Sequence, residues 1–448
     1  MTGKHQVVIL GGGFGGLYAA KALRKAPAQI SVLDRRNFHL FQPLLYQVAT
    51  GSLSPGEIAS PLRRVLHRQQ NTQVLLGEAV DLDADRRRVI LADGEVPYDT
   101  LIVATGSTDS YFGHDDWKQS APGLKTIEHA TAIRSKILYA FEAAEKEHDP
   151  EKQREWLTFV IVGAGATGVE LAGALGEIAN EMLHRDFRSI DPRKAKILLL
   201  EGSPRVLPPY PPDLSAKAEA SLVRLGVTPR TNVMVTGIDE AGVTVKTSSG
   251  ADRINARTVI WAAGVRASSF GEVLKRRVGA ELDRGGRVMV SPDLSVPGHP
   301  EILVIGDLAH FEQDGKLLPG VAPVAIQEGG YAAKLIKQRL QGQAETTGKF
   351  HYFDKGSLAV IGRASAVAEI RGLHISGLLA WLTWLFVHLM YIVEFSNRVL
   401  VFIQWGFLYL TYNQGARLIT GPEAAETSHE VADASVSKPP KTEIPVPR

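Results

Sequence analysis

Two triplets of glycine hold the residue types whose spacing could do chemistry. Gly11, Gly13 and Gly16 stand in G-x-G-x-x-G order, and Gly163, Gly165 and Gly168 repeat it. In such a triplet the first glycine permits a tight turn, the second lets backbone approach a pyrophosphate, and the third lets the next helix lie close to the preceding strand. The helix N-terminus then offers unpaired N–H groups to the phosphates. Each triplet is followed by an acid, Asp34 and Glu201, placed to accept from ribose hydroxyls. The chemistry implied is the holding of two dinucleotides. A carboxylate at the second site hydrogen-bonds a ribose diol and repels a 2′-phosphate, which favours NAD over NADP, with Arg205 nearby moderating that preference.

The elements that must position these residues follow from the apolar runs. Residues 7–10 read as a strand entering the first triplet, residues 17–25 as the helix leaving it, and a second apolar run ends at Asp34. Residues 158–162 and 197–200 frame the second triplet in the same way. There the acid comes later than the usual spacing of about 20 residues, because residues 180–194 lengthen the crossover. Residues 101–106 and 258–264 read as strands ending in glycine turns at Gly106 and Gly264, where a parallel sheet brings backbone to a cofactor. Residues 302–307 form another strand with Asp307 at its tip, which either faces a cofactor or caps the helix after it. Further strands are expected at 233–238 and 242–247, a short helix at 61–66, two strands around a turn at 73–91, and a helix at 126–146. Residues 37–53 fit neither period and read as a loop packed beside a ligand or another domain. The charged run 142–155 reads as a solvated linker at a domain boundary.

A chain of 448 residues exceeds a single core and suits two or three domains. The absence of cysteine excludes thiolate-held iron–sulfur clusters, cysteine–zinc sites, redox disulfides and a thiol nucleophile. Electron chemistry must therefore sit on a bound organic cofactor, and no metal site is expected. A net charge of +2 with scattered basic residues speaks against a nucleic-acid partner. With the first strand under way by Val7, no leader is expected, and the chain should stay in the compartment that makes it.

The C-terminal third changes character. Residues 375–393 carry no formal charge, and residues 399–412 are nearly as apolar. Ten of the thirty-two aromatic residues fall between 375 and 412, too dense for an ordinary surface helix. The first run would just cross a hydrocarbon core of about 30 Å, but the second is too short to return. Trp381, Trp384, Tyr391, Trp405, Tyr409 and Tyr412, flanked by Arg371, Arg398 and Arg417, suit a membrane interface. Helices lying in one leaflet are expected rather than a span, and a buried dimer core is compatible with that. The proline-rich stretch 422–448 is expected to be a disordered tail.

These motifs together resemble the type II NADH dehydrogenases, single-subunit flavoenzymes that pass electrons from NADH to quinone at a membrane surface without pumping protons. The resemblance runs from about Val7 to Ile419. It rests on GGGFGG at 11–16, FQPLLYQVATG at 41–51, VGAGATGVELAG at 162–173, VIGD at 304–307, APVAIQEG at 322–329 and DKGSLAVIGR at 354–363. It implies an α/β fold of two Rossmann-like domains, for FAD and NAD, with a C-terminal membrane-associated helical region. The expected division is an FAD domain at 1–150 and 286–350, an NADH domain at 151–285, and a quinone-site and membrane-anchoring region at 351–421.

Non-covalent FAD would be held by Gly11, Gly13, Phe14, Gly15, Gly16, Asp34, Thr105, Gly106, Asp307, Ala325 and Gln327. NADH, as substrate, would meet Gly163, Gly165, Ala166, Thr167, Gly168, Glu201 and Gly264. The catalytic candidates implied are Glu170, matching a family glutamate on the NADH side, Gln327 and Lys355. Glu170 could equally be a first-turn acid stabilised by the helix dipole, and Lys355 an exposed surface lysine. Where the family has Ala-Gln-x-Ala-x-Gln, this chain has Ala322, Pro323, Val324, Ala325, Ile326 and Gln327, so the first glutamine is replaced and only the second is kept. Pro323 suits the first turn of a helix. The partners implied are NADH, a membrane quinone, the membrane surface through the C-terminal helices, and a second copy in a homodimer, at the cytoplasmic face of the cell membrane. Sulfide:quinone oxidoreductases share this plan, but their redox cysteines are absent here. Two other readings remain: a soluble NADH-dependent reductase of another acceptor, and a redox-sensing flavoprotein without turnover.

Overall fold

A computed structural model of the chain describes residues 4–343, 348–411 and 416–420. Tyr412 and the tail 422–448 lie outside the described residues. In chain order, strand β1 (His5–Leu10) leads through the first glycine triplet into helix α1 (Phe14–Ala22), followed by β2 (Ala28–Asp34). A short helix α2 (Leu45–Ala49), β3 (Thr72–Leu76), β4 (Thr100–Val103) and the long helix α3 (Ile127–Lys146) come next. The unit then repeats as β5 (Thr158–Val162), α4 (Ala166–Glu177), β6 (Lys196–Leu200), β7 (Val227–Arg230) and β8 (Thr258–Trp261). The chain returns through β9 (Ser295–Val296), β10 (His299–Val304) and helix α5 (Ala322–Leu340). It finishes with strands β11 (Ser357–Gly362), β12 (Ser365–Ile370) and β13 (Leu373–Ser376) and helices α6 (Leu378–Tyr391) and α7 (Phe395–Thr411).

The first sheet has the order β9-β10-β4-β1-β2-β3, parallel except for the edge strand β9. Val7, Val8, Ile9 and Leu10 are buried on both faces, as the central strand of a covered parallel sheet requires. The second sheet, β7-β6-β5-β8, is parallel throughout. Because β10 pairs with β4, chain from beyond the second sheet completes the first. The two sheets are joined by the short strands Ser107–Asp109 and Val265–Ala267, which pair antiparallel. The C-terminal strands form a three-stranded antiparallel sheet that packs on α4 and α6.

Four stretches differ from the sequence reading. Residues 73–91 hold three strands, because β3 joins the large sheet while Ala79–Asp83 and Arg88–Leu91 begin a separate meander. The charged run 142–155 is largely helical and not a linker. Helix α3 runs to Lys146, and a second helix, Pro150–Trp156, starts where the Asp149 carboxylate accepts from Glu151 N–H at 2.8 Å with proline in its first turn. Residues 37–53 are built from the strand Phe38–Leu40, a 3-10 turn and α2, with Phe41, Leu44, Leu45 and Val48 buried. Their lack of period reflects packing on several sides at once. The uncharged run 375–393 is divided, since Ile375 and Ser376 belong to β13 and only residues 378–391 are helix.

Helices α6 and α7 form a hairpin. Trp381 lies against Tyr409 and Trp384 against Trp405, each pair at 5.4 Å. Trp384 and Trp405 are buried, so these two face the protein and not a membrane interface, while Trp381, Tyr391 and Tyr409 are half-buried. The outward face carries Leu379, Leu382, Phe386, Phe402, Ile403 and Phe407 instead. Arg398 is likewise drawn inward, donating to Ile392 C=O at 2.6 Å, and Arg417 pairs with Asp186. Among the described residues no helix is long and apolar enough to cross a membrane.

Candidate functional site

The two glycine triplets make the same local structure. Gly11 and Gly163 adopt φ of +101° and +99°, which a side chain would resist. A Cβ on Gly16 would stand 1.9 Å from Gly11 C=O, and one on Gly168 would stand 1.8 Å from Gly163 C=O. These glycines therefore set how closely each helix meets its strand. At the middle positions, Gly13 and Gly165, a Cβ would meet no described atom within 4 Å. That backbone is open to an incoming phosphate, at the N-terminus of α1 and of α4, as a dinucleotide requires.

Both acids also brace the loop they serve. Asp34 accepts from Gly12 N–H at 2.6 Å and from Arg36 N–H at 2.7 Å; Glu201 accepts from Ala164 N–H at 2.7 Å and from Ser203 N–H at 2.8 Å. Burial raises the Asp34 carboxyl above its usual range against those two hydrogen bonds. Each carboxylate keeps a lone pair for a ribose hydroxyl. Arg205 donates from Nη2 to the Pro208 and Tyr210 carbonyls at 2.7 and 3.1 Å.

A cleft with a volume of about 1050 Å³ opens from the first triplet, lined by Gly11, Asp34, Thr105, Ser107, Arg266 and Ser268 among others. That is the upper end of the roughly 300–1,000 Å³ of ordinary ligand pockets, room enough for an extended dinucleotide. Its floor ties the two sheets together: the Thr105 and Ser268 hydroxyls are 2.5 Å apart, and Ser268 N–H donates to Gly106 C=O at 3.0 Å. Asp307 caps no helix. It sits in a 3-10 turn and accepts from the Ser107 hydroxyl at 2.6 Å, which points it toward the cleft wall.

Behind that turn lies a residue the sequence reading passed over. Glu328, 1 % exposed, accepts from Gly306 N–H at 2.5 Å and so fixes the 305–308 segment. Burial pushes its carboxyl up to about 8, and Asp307 adds to the rise. The signal was available, for Glu328 falls on the buried stripe of α5 with Val324, Ala325 and Ala332. His39 was missed in the same way. Its Nδ1–H donates to Gly12 C=O at 2.9 Å beneath the first triplet, and burial holds its imidazole down to about 4. On the other side, the Phe112 ring covers Gly264, where a Cβ would meet it at 2.4 Å.

The catalytic candidates fall in two groups. Gln327 is braced against Phe353, its Nε2 donating to that carbonyl at 3.0 Å and its Oε1 accepting from that N–H at 2.9 Å. One amide N–H remains for a ligand. Lys355, two residues on from Phe353, donates to the Tyr391 hydroxyl of α6 at 2.8 Å, so although exposed it is a tie between the DKG segment and the apolar hairpin. Pro323 occupies the first turn of α5, as its chemistry suggested.

Glu170 belongs to a different place. It is the fifth residue of α4, beyond the first turn, and a helix-dipole role does not fit it. Its carboxyl accepts from Val360 N–H on β11, and burial pushes it up to about 8. It lines a cavity under the hairpin with Tyr46, Gln47, Glu177, Trp384 and Trp405. There Trp405 Nε1–H donates to Gln47 Oε1, and Gln47 Nε2–H to the Tyr46 hydroxyl, both at 2.8 Å. A buried acid that keeps its proton near neutral pH can release one on demand.

Comparisons with known proteins bear on the whole of this arrangement. The family model described as pyridine nucleotide-disulphide oxidoreductase matches residues 5–329, and one described as NDH2 C-terminal domain matches residues 354–411. The type II NADH:quinone oxidoreductase Ndh of Mycobacterium tuberculosis is 46% identical over 427 residues, covering 94% of this chain and 91% of that protein. A type II NADH:quinone oxidoreductase of Staphylococcus haemolyticus is 30% identical over 382 residues, covering 84% and 92%. The structure of NDH2 from Plasmodium falciparum in complex with NADH superposes with a TM-score of 0.83 at 20% identity, covering 94% of this chain and 100% of that one.

Proposed function

This chain belongs to the type II NADH:quinone oxidoreductases, and from that premise we propose how its residues divide the work. FAD is the cofactor and NADH the substrate of this FAD-dependent enzyme. When bound, FAD takes a hydride from NADH and gives two electrons to a quinone. The observation that carries the reading is the pair of open triplets, at Gly13 and Gly165, each where a strand of its own parallel sheet turns into a helix. The first holds FAD, with Phe14, Gly15, Thr105, Gly106, Asp307 and Ala325 completing its contacts. The second holds NADH through Ala166, Thr167 and Glu201, with Gly264 beside the nicotinamide.

Asp34 and Glu201 orient the riboses while keeping each loop braced. Glu328 keeps Asp307 aimed. Glu170 holds a proton in a water-poor setting for transfer toward the reduced quinone. Gln327 and Lys355 position the segment 353–355 beside the apolar hairpin and offer one N–H and one ammonium group to a quinone oxygen. The hairpin lies in one leaflet on its outward face of Leu, Ile and Phe. In this reading electrons pass to the quinone without proton pumping. A homodimer on the cytoplasmic face of the membrane completes the reading.

The test is anaerobic. NADH added to purified holoenzyme should bleach the flavin absorbance, and a short-chain quinone should restore it over repeated cycles. Bleaching without recovery would leave the NADH half and remove quinone as the acceptor.

A further inference from the structure

The overall reaction needs a proton from water. Quinone takes two electrons and two protons, NADH supplies both electrons and one proton as hydride, and the balance is quinone + NADH + H⁺ → quinol + NAD⁺. Glu170, enclosed under the hairpin, can give that proton once per turnover and must then be refilled.

Glu177 stands two turns along α4 from Glu170, on the same face, about 10 Å further along the axis. Both line the one cavity, whose volume of about 80 Å³ is room for a few waters at roughly 10–15 Å³ each. A second feature points to water in that cavity. Trp384, 3 % exposed, lies on its wall, and its Nε1–H has no hydrogen-bond partner among the described residues. A buried donor of that kind is ordinarily satisfied by an ordered water. At its far end α4 passes into a π-helical turn, Ile178–Met182, which brings the exposed Glu181 next to Glu177. Such turns are uncommon and cluster at functional sites.

We propose that Glu177 is a relay residue that passes a solvent proton, received at the Glu181 end of α4, through cavity water to Glu170. The inference rests on the reading of Glu170 given above. In the step, the Glu177 O–H bond breaks as a water O–H bond forms, and a proton leaves that water for the Glu170 carboxylate. Glu177 then regains a proton from solvent, so no charge is left in the cavity.

The surroundings of Glu177 suit this. Its Oε1 accepts from Arg363 N–H at 2.5 Å. Burial pushes its carboxyl up to about 7, the Arg363 N–H and guanidinium oppose the rise, and Glu181 adds to it. The Arg363 guanidinium itself lies 4.0 Å over the Tyr409 ring, and Tyr46 faces the acid from α2. A carboxyl poised near neutrality can both take and give a proton at the working pH.

The experiment compares E177Q and E170Q with wild-type holoenzyme. Glutamine keeps an oxygen for the Arg363 N–H and cannot carry a proton, so it separates relay from structure. For E177Q, kcat with NADH and a short-chain quinone should fall about tenfold, and its D₂O effect should grow. KM for NADH, and the rate with ferricyanide, which takes electrons without protons, should not change. In the apoprotein at pH 6, E177Q should remove part of the protonated-carboxyl infrared absorption. If quinone turnover and its D₂O effect stay within twofold of wild type in E177Q while E170Q is slow, the relay is overturned and the Glu170 reading stands. If neither variant is slow, both fall. If the quinone and ferricyanide rates drop together in E177Q, its role is structural and the relay is overturned.

Discussion

Glu328 shows how much one buried carboxyl can couple cofactor geometry to pH. It accepts a hydrogen bond from Gly306 N–H, and its usual value of 4.5 is pushed up to about 8 chiefly by burial. The folded chain therefore keeps a proton that the unfolded chain has lost between about pH 4.5 and pH 8. Stability falls as pH rises through that window, and the loss is complete above about pH 8. In E328Q an oxygen remains for Gly306, but there is no charge to bury. The thermal midpoint of wild type should drop between pH 6 and pH 9 by an amount worth a few kcal/mol more than that of E328Q. Glu170 and Glu177 act in the same direction in both proteins and cancel in the comparison. Parallel midpoint curves would show that Glu328 is already charged in the folded protein.

At the scale of elements, the first nucleotide loop is held by a helix from far along the chain. Helix α5 crosses α1 where Gly329 meets Gly15, and a Cβ on Gly329 would stand 2.4 Å from Gly15 C=O. That atom is backbone and cannot yield cheaply, so Gly329→Ala must push α5 away from the loop. The variant should fold with a lower midpoint and purify with less than half the wild-type FAD content, read from flavin absorbance against protein. Full occupancy would mean that the crossing can slide. The hairpin of α6 and α7 makes the complementary case, an element whose outer face exposes Leu379, Leu382, Phe386, Phe402 and Ile403. Phe386 and Phe402 are 63% and 56% exposed, and their joint replacement by glutamate touches no inward contact in Trp384 or Trp405. The double variant should stay folded, lose sedimentation with anionic or neutral vesicles by tenfold or more, and keep its ferricyanide rate. Unchanged sedimentation would move the membrane contact elsewhere.

Elements of this kind also mark what could be read from the sequence. The strands, triplets and acids were legible because each is specified locally, by a run of Val, Ile and Leu and by glycine spacing. The inward turn of Trp384 and Trp405 was not, since an aromatic at a membrane interface and one packed on Gln47 look alike until the partner is known. Nor was the Gly329 contact, which joins residues more than three hundred positions apart. Residues 142–155 misled for a local reason: charge density suggested a linker, while Asp149 and Pro150 together begin a helix. The bonds of Gln327 to Phe353 and of Lys355 to Tyr391 were not legible either, because they depend on tertiary contacts.

For the whole molecule, the cleft is the joint between two otherwise separate sheets. Among the groups that join them are the paired strands Ser107–Asp109 and Val265–Ala267, the Thr105 and Ser268 hydroxyls, Ser268 N–H donating to Gly106 C=O, and Trp261 Nε1–H donating to Ser110 C=O at 2.8 Å. An FAD lying in that cleft would touch Gly11 and Asp34 on one side and the 266–268 segment on the other, so its binding energy would add to the joint. A ligand at a thousand times its dissociation constant stabilises the fold by about 4.1 kcal/mol. Apoprotein freed of FAD should therefore unfold at a lower temperature and in two steps, with the second sheet, which has its own core around Val160, Leu198 and Val245, reporting separately. Titrating FAD back should raise the lower midpoint in proportion to the logarithm of its concentration until the steps merge. NADH added to the same apoprotein should move only the other step. If FAD raised neither midpoint, the cleft would not be its seat; if NADH alone merged the two steps, the assignment of the two triplets would have to be exchanged.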